Sequence, residues 1–436
     1  MATLGNDPGA VKAHSCYTPR PMTASPHRAE VERQLAVIRA GVEELIPEAE
    51  LVQKLERSLA TKTPLRVKQG FDPTAPDIHL GHTIGLRKLR QFQELGHQVV
   101  LIVGDFTALV GDPSGRSQTR PTLSEEEVKA NAQTYLEQFS KVVDPKRTEI
   151  RWNGDWLRDM TLADVLRLAG RMTIARILER DDFEKRHRAG EPIGVHELFY
   201  PLLVAYDSVV VRADVEIGAT EQKYNLLTGR DIQSAYGVEP QVILTLPVLE
   251  GTDGVRRMSK SLGNYIGVSE APKEIYGKVM SLPDALIERF FRLVTDATPA
   301  ECDEVARALK SAGTNPMTWK KALAKRIVAM YHGSPSAELA QADFEKQFSR
   351  REAPSEMPTV LVAPGKFRAR DLMMRAFPDE YTGSQAGAMF KQGAVFINGE
   401  RVTDFASEIV LGRGAGEQAE VVFKVGRKYA RVLLAQ

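Results

Sequence analysis

Two histidines three residues apart and a short cationic loop carry the clearest chemistry in this chain. His79-Leu80-Gly81-His82 opens a helix-like run, so both imidazoles share one face of its first turn. Arg257-Met258-Ser259-Lys260-Ser261, followed by Leu262-Gly263-Asn264, sets two cations in a segment rich in Ser and Gly. In this order the two segments suit one reaction, attack of a carboxylate on the α-phosphorus of ATP. That step builds negative charge on the α-phosphate and on departing pyrophosphate, and donors aimed at the charge stabilise it. Gly81 lets a nucleotide approach the backbone. The helix N-terminus adds positive potential. Arg257 and Lys260 are expected to meet the β- and γ-phosphates from a loop that closes and reopens. Either segment alone reads as a helix start or a solvated loop; the combination carries the argument.

The elements around them predict how they are held. Residues 29–61 have apolar positions at helical spacing and predict two helices, and residues 64–70 contain a short strand. Residues 79–95 predict a helix, with Leu86, Leu89 and Phe92 inward and Gly96 ending it. Val99-Val100-Leu101-Ile102-Val103 suits a strand buried on both faces of a parallel sheet. Further on, 162–180 predicts a helix, Gln222 opens another, and Val242-Ile243-Leu244-Thr245-Leu246 is a second buried strand leading to the Arg257 loop. This rhythm gives an α/β fold, a doubly wound, Rossmann-like parallel sheet within residues 29–268. From 269 to 349 strands disappear and four helices are expected, at 285–294, 299–312, 319–332 and 337–348. Residues 350–358 read as a linker. Residues 359–436 read as a small α+β module. It has helices at 370–377 and 384–391, a strand entering an Asn398-Gly399 turn, and a hairpin over 421–432 bearing alternate basic residues.

Composition bounds the function classes. The chain has 436 residues, 43% hydrophobic and 26% charged, in the range of globular proteins. No apolar run approaches the ~18 residues of a membrane span. Residues 1–28, rich in Pro, Ala, Ser and Thr, read as a disordered tail without a signal-peptide core. Cys16 and Cys302 are the only cysteines, which excludes a cysteine-based zinc site and a disulfide framework and fits a reducing cytoplasm. The formal net charge is +1, so a nucleic-acid partner must be met by local basic surface. Residues 360–436 hold 11 Lys or Arg against 8 Asp or Glu, a mild excess of that kind.

The chain resembles the bacterial tyrosyl-tRNA synthetases, class I aminoacyl-tRNA synthetases, from about residue 65 to its end. Beyond the two ATP motifs, the resemblance rests on Gly104-Asp105-Phe106-Thr107, Gly111-Asp112-Pro113-Ser114-Gly115-Arg116, Tyr200-Pro201-Leu202-Leu203, Ala205-Tyr206-Asp207-Ser208 and Gln222-Lys223-Tyr224-Asn225-Leu226-Leu227. It implies a helical anticodon-stem domain at 269–349, an S4-like RNA-binding domain at 359–436, and a homodimer. It implies activation of L-tyrosine by ATP and transfer to tRNA(Tyr), with magnesium arriving on ATP and no dedicated metal or organic cofactor. By match to the family, His79, His82, Lys260 and Arg257 are catalytic. Asp72, Gly81, Glu221, Met258, Ser259 and Ser261 bind ATP. Lys68, Thr107, Asp112, Asn153, Tyr200, Val204, Asp207 and Gln222 line the amino-acid site, with Asp207 at the phenol hydroxyl and Tyr200 and Asp112 at the ammonium. Without the resemblance, Asp112 reads equally as a turn-stabilising Asx residue.

Four positions depart from the family pattern. Lys68 replaces a tyrosine that reads the phenol, and is expected either to donate to the phenol oxygen or to pair with Asp207. Val204 replaces a glutamine at the ammonium end. Ala219-Thr220-Glu221 replaces Gly-Thr/Ser-Asp, and Arg257 replaces the loop's first lysine. Two other readings therefore stay open at this level: a diverged paralogue that adenylates another aromatic amino acid, and a non-catalytic RNA-binding protein on the same scaffold.

Overall fold

The computed structural model describes residues 26–73, 77–112, 124–311, 313–346, 357–378, 380–414, 418–426 and 428–435. Residues 1–25 of the expected tail and 350–356 of the expected linker lie outside them, as do Pro113 to Arg116.

Six strands form the main sheet: β1 (Glu44–Ile46), β2 (Arg66–Phe71), β3 (Gln98–Val103), β4 (Thr148–Trp152), β5 (Val215–Ala219) and β6 (Val242–Leu246), in the order β1-β6-β5-β2-β3-β4. β2 to β6 run parallel, and β1 closes one edge antiparallel to β6. β6 is buried at every residue and β3 at all but its first, as their unbroken apolar runs require. The chain goes outward from β2 through β3 to β4, then returns to β5 and β6 on the other side. The switch point lies between β2 and β5, and the carboxyl ends of the strands there form the crevice where ligands bind in such sheets.

Three strands of this sheet escaped the sequence reading: β1, β4 and β5. The helix expected over 162–180 is broken into Leu162–Ala169 and Ile174–Ile177, and Arg180 precedes a further helix, Asp181–Ala189. The side chains of Thr161 and Thr173 accept backbone N–H groups at the two starts, and such caps begin new helices rather than continue one.

After residue 271 the chain is helical: Pro272–Met280, Ile287–Val294, Pro299–Lys310, Pro316–His332 and Ser334–Phe344. Proline in the first turn and capping by Thr298 and Asn315 fix several of these starts. Phe290, Leu323 and Ile327 share one continuous core with Leu86, Leu89 and the sheet. The last module has its own core around Leu372, Phe390, Phe423 and Val432. Its helices, Ala369–Ala376 and Gly383–Lys391, accompany a five-stranded sheet and a two-stranded one. Asn398 (φ 50°) and Gly399 (φ 88°) make the tight turn that the Asn-Gly pair predicts.

Candidate functional site

Two adjoining cavities open at the switch point, about 210 and 390 Å³ in volume, and His82, Glu221 and Arg257 line both. The smaller is walled by residues that follow strand ends: Asp72 after β2, Thr107 after β3, Asn153 after β4 and Gln222 after β5. The Val195–Val210 helix covers it with Tyr200, Val204 and Asp207, and Asp112 completes the wall. The larger holds His79, Gly81, Met258, Ser259, Lys260 and Ser261. All of the site residues expected from sequence meet here except Lys68, but Asp72, expected at ATP, lines the smaller cavity, bonded to Tyr200 and Thr107 of the amino-acid set.

A hydrogen-bonded chain crosses the smaller cavity. Tyr200 Oη donates to Asp72 Oδ2 at 2.8 Å, and Thr107 Oγ1 donates to Asp72 Oδ1 at 2.7 Å. Asn153 Nδ2 donates to Thr107 Oγ1 at 3.0 Å and to Asp207 Oδ2 at 3.2 Å, and Trp156 Nε1 donates to Asp207 Oδ1 at 3.0 Å. Gly104 makes room for this: a Cβ there would stand 2.1 Å from Asp72 Oδ1 and 2.4 Å from Thr107 Oγ1. Burial pushes the Asp207 carboxyl up to about 7, against the nearby charge of Lys68 and its two hydrogen bonds. Burial and the charges of Asp112 and Asp72 hold the Tyr200 hydroxyl well above its ordinary range, so it stays a donor. One end of the cavity is thus polar and enclosed around Asp207, and the other carries two carboxylates, an arrangement matched to a hydroxyl and to an ammonium respectively.

Lys68 does neither of the things expected of it. It lies opposite Glu216 in the β2–β5 register, and its Nζ donates to Glu216 Oε1 at 2.7 Å, Ser208 Oγ at 2.8 Å and Val204 O at 3.1 Å. The alternation of β2 turns this side chain under the Val195–Val210 helix, where it braces the helix. Its partner is Glu216, not Asp207.

At the larger cavity the His79 and His82 rings stack, with centroids 3.8 Å apart and an interplanar angle of 19°. His79 is the residue before the Leu80–Glu94 helix, and its backbone N–H donates to His82 Nδ1 at 3.3 Å. That leaves His82 Nε2 to carry the ring proton. Burial, with the charge of Lys260 adding to it, lowers His82 to about 4, so it is a neutral donor at pH 7. Burial, then the neighbouring His82 and Lys260, lowers His79 to about 2. Leu80 N–H donates to Ile266 O and Val268 N–H to Ile78 O, so the histidine segment is tied to the chain just beyond the cationic loop. Arg257 Nη1 lies 2.9 and 2.8 Å from the two Glu221 oxygens, and Lys260 Nζ lies 3.3 Å from Asp77. The cations rest on carboxylates at the cavity mouth.

Sequence reasoning missed three residues. Trp156 gave its only signal as an indole following Asn153. Glu216 is a charge inside an apolar strand, which is itself a sign of a buried partner. Arg180, 5% exposed, lies 3.8 Å from Asp112 and 2.7 Å from Asp182.

Known proteins resemble this chain in sequence and in fold. Residues 60–349 match the family model of class I tRNA synthetases (W and Y). The tyrosine–tRNA ligase of Moorella thermoacetica is 50% identical over 403 residues, covering 92% of this chain and 96% of that protein. That of Thermotoga maritima is 48% identical over 402 residues, covering 92% and 97%. The solved tyrosyl-tRNA synthetase of Archaeoglobus fulgidus, complexed with L-tyrosine, shares the fold with a TM-score of 0.59 at 24% identity, over 71% of this chain and 99% of that one. A C-terminally truncated mitochondrial tyrosyl-tRNA synthetase of Aspergillus nidulans does so with a TM-score of 0.60 at 21% identity, over 74% and 97%. With half its residues shared over nine-tenths of its length, the chain belongs to the tyrosine–tRNA ligase family of class I tRNA synthetases.

Proposed function

We propose that this chain activates L-tyrosine with ATP and transfers the tyrosyl group to the 3′-terminal ribose of tRNA(Tyr). The observation that carries this reading is Asp207, a carboxylate enclosed at one end of a cavity whose other side opens onto the paired histidines and the cationic loop. Asp207 accepts the phenol hydrogen, while Asp72, Asp112 and Tyr200 take the ammonium. The tyrosine carboxylate attacks the α-phosphorus, the bond to the β-phosphate oxygen breaks, and pyrophosphate leaves. His79, His82, Arg257 and Lys260 stabilise the charge that develops. Gly81, Met258, Ser259 and Ser261 form the nucleotide wall, and Glu221 is the ribose partner once ATP displaces Arg257 from it. A ribose hydroxyl of the tRNA then attacks the anhydride carbonyl, and AMP leaves. Magnesium enters with ATP, as part of the substrate.

The helical segment is read as the anticodon-stem domain and the last module as an S4-like RNA-binding domain. Support for the second comes from basic residues along its hairpin, where Lys424 Nζ lies 5.6 and 5.4 Å from the Phe396 and Tyr429 ring centres. A homodimer is supported by Leu162, Leu166, Ile174 and Val195, large apolar side chains between 62 and 74% exposed in one stretch of chain. Among the described residues no helix is long and apolar enough to cross a membrane, and the proposed site of action is the cytoplasm. ATP–pyrophosphate exchange with a panel of amino acids tests the central reading. Tyrosine should be preferred; a clear preference for another amino acid, or no exchange at all, overturns it.

A further inference from the structure

Asn264 is 3% exposed, and the loop that carries Arg257 and Lys260 wraps around its side chain. The chain leaves β6 and turns back sharply at residues 250–257. Glu250 and Arg257 pair in an antiparallel bridge, and Gly251 N–H donates to Arg256 O at 2.8 Å. Met258 N–H then donates to Leu249 O at 2.7 Å. Asn264 holds what lies between. Its Oδ1 accepts the Ser259 N–H at 2.8 Å. Its Nδ2 donates to Arg257 O at 3.1 Å, Arg256 O at 3.4 Å and Asp253 Oδ2 at 3.0 Å. Its backbone carbonyl accepts the Thr252 N–H at 2.9 Å.

The main chain is therefore gripped on both sides of Met258, whose own side chain is buried in the main core. Only a terminal amide offers an acceptor and donors in one plane at this reach. An aspartate would lose the donors and face Asp253. Gly251 confirms how closely the fit is drawn: a Cβ there would stand 2.3 Å from Asn264 Cγ.

We propose that Asn264 is a positioning residue for adenylate formation, fixing the backbone from which Arg257 and Lys260 project and so where their charges meet the triphosphate. The proposal rests on the tyrosine-activation reading above. It touches no substrate atom; its effect runs through the two cations.

The test uses the full-length protein with Asn264→Ala and, independently, Gly251→Ala, which displaces the same side chain from the opposite side. In ATP–pyrophosphate exchange each variant should lower kcat at least about tenfold, with the KM for tyrosine within about twofold of wild type. Asn264→Ser, which keeps an acceptor and one donor, should recover part of the loss. Adding Asn264→Ala to Lys260→Ala should cost less than the two losses combined, because the Lys260 charge is one of the two that Asn264 positions. Trypsin, without any substrate, should cut after Arg257 and Lys260 faster in Asn264→Ala than in wild type, a readout that holds whatever the enzyme activates. Absence of exchange in the wild type would sink the functional reading alone. Normal exchange in both variants, a defect confined to tyrosine binding, full additivity with Lys260→Ala, or unchanged tryptic cutting in the folded variant would overturn the role given to Asn264.

Discussion

At the amino-acid end of the site, Asp207 is 2% exposed and each of its oxygens is held by a side-chain donor. At the nucleotide end, Arg257 and Glu221 pair at 38 and 37% exposure, and Lys260 and Asp77 at 24 and 53%. The first end is desolvated before any substrate arrives, and its donors come from Asn153, just after β4, and from the short helix that follows, Gly154–Leu157. The second keeps its charges on loops, in pairs that water already screens. The difference follows from what each end must do. Telling one side chain from another needs a fixed, dry polar group whose partner is costly to omit. Handling a triphosphate and then releasing pyrophosphate needs cations that change partners at little cost.

The largest expected effect lies at the dry end. Asp207→Asn keeps the volume and removes the charge that accepts the phenol hydrogen. The ratio of specificity constants for tyrosine and phenylalanine should fall about 100-fold, the scale of a lost ~3 kcal/mol charge-assisted hydrogen bond. An unchanged ratio would mean that the enclosed carboxylate does not read the substrate, and the contrast between the two ends would lose its meaning. Next in size come His79→Ala, His82→Ala and Lys260→Ala. Each should slow adenylation at least about tenfold, a loss of ~1.4 kcal/mol in the transition state. Tyrosine binding, followed separately at equilibrium, should stay near wild type in all three; weakened binding would show that the two ends are not independent.

How far the sequence could be read follows the same division. The ATP motifs were legible because their chemistry sits in short contiguous segments, and β3 and β6 because their apolar runs are unbroken. β5 was not, since Glu216 interrupts its pattern, and only the register with Lys68 explains that charge. Lys68 itself was misread because its place in the chain does not say which carboxylate its ammonium meets, and Glu216 stands opposite it on β5. β1 and β4 lie at the sheet edges, where short or half-exposed strands leave little pattern. Trp156 reaches Asp207 across 51 positions of sequence, a contact no local signal contains.

The dry end also predicts a pH signature. The Asp207 carboxyl is raised to about 7, mainly by burial. For an acid raised in the folded state, the stabilising contribution is whole below the unfolded value near 4 and is lost as pH rises through about 7. The tyrosine-free protein should lose stability from this group over that window, whereas Asp207→Asn should not. The gap in Tm between variant and wild type should therefore widen from pH 4.5 to 7 and then level off. The KM for tyrosine should fall over the same range, as the ionised carboxylate becomes available to the phenol. A Tm gap that does not change with pH would remove the desolvation argument.

The smallest effect is expected at the wet end, and its sign is informative. Asp77 lies 3.3 Å from Lys260 and is 53% exposed, so the pair is screened and worth at most about 1 kcal/mol. While it holds Lys260, it competes with the incoming triphosphate for the same ammonium. Asp77→Asn removes the competitor without touching the cation. The KM for ATP should fall, by no more than about fivefold, which is the whole of that ~1 kcal/mol. Thermal stability and the KM for tyrosine should stay as they are. Because the contact is exposed, raising the ionic strength from about 0.05 to 0.5 M should erase most of the difference between variant and wild type. A rise in the KM for ATP would mean instead that Asp77 holds Lys260 in its working position. The nucleotide end would then be preorganised like the amino-acid end, and the contrast between them would be one of exposure alone.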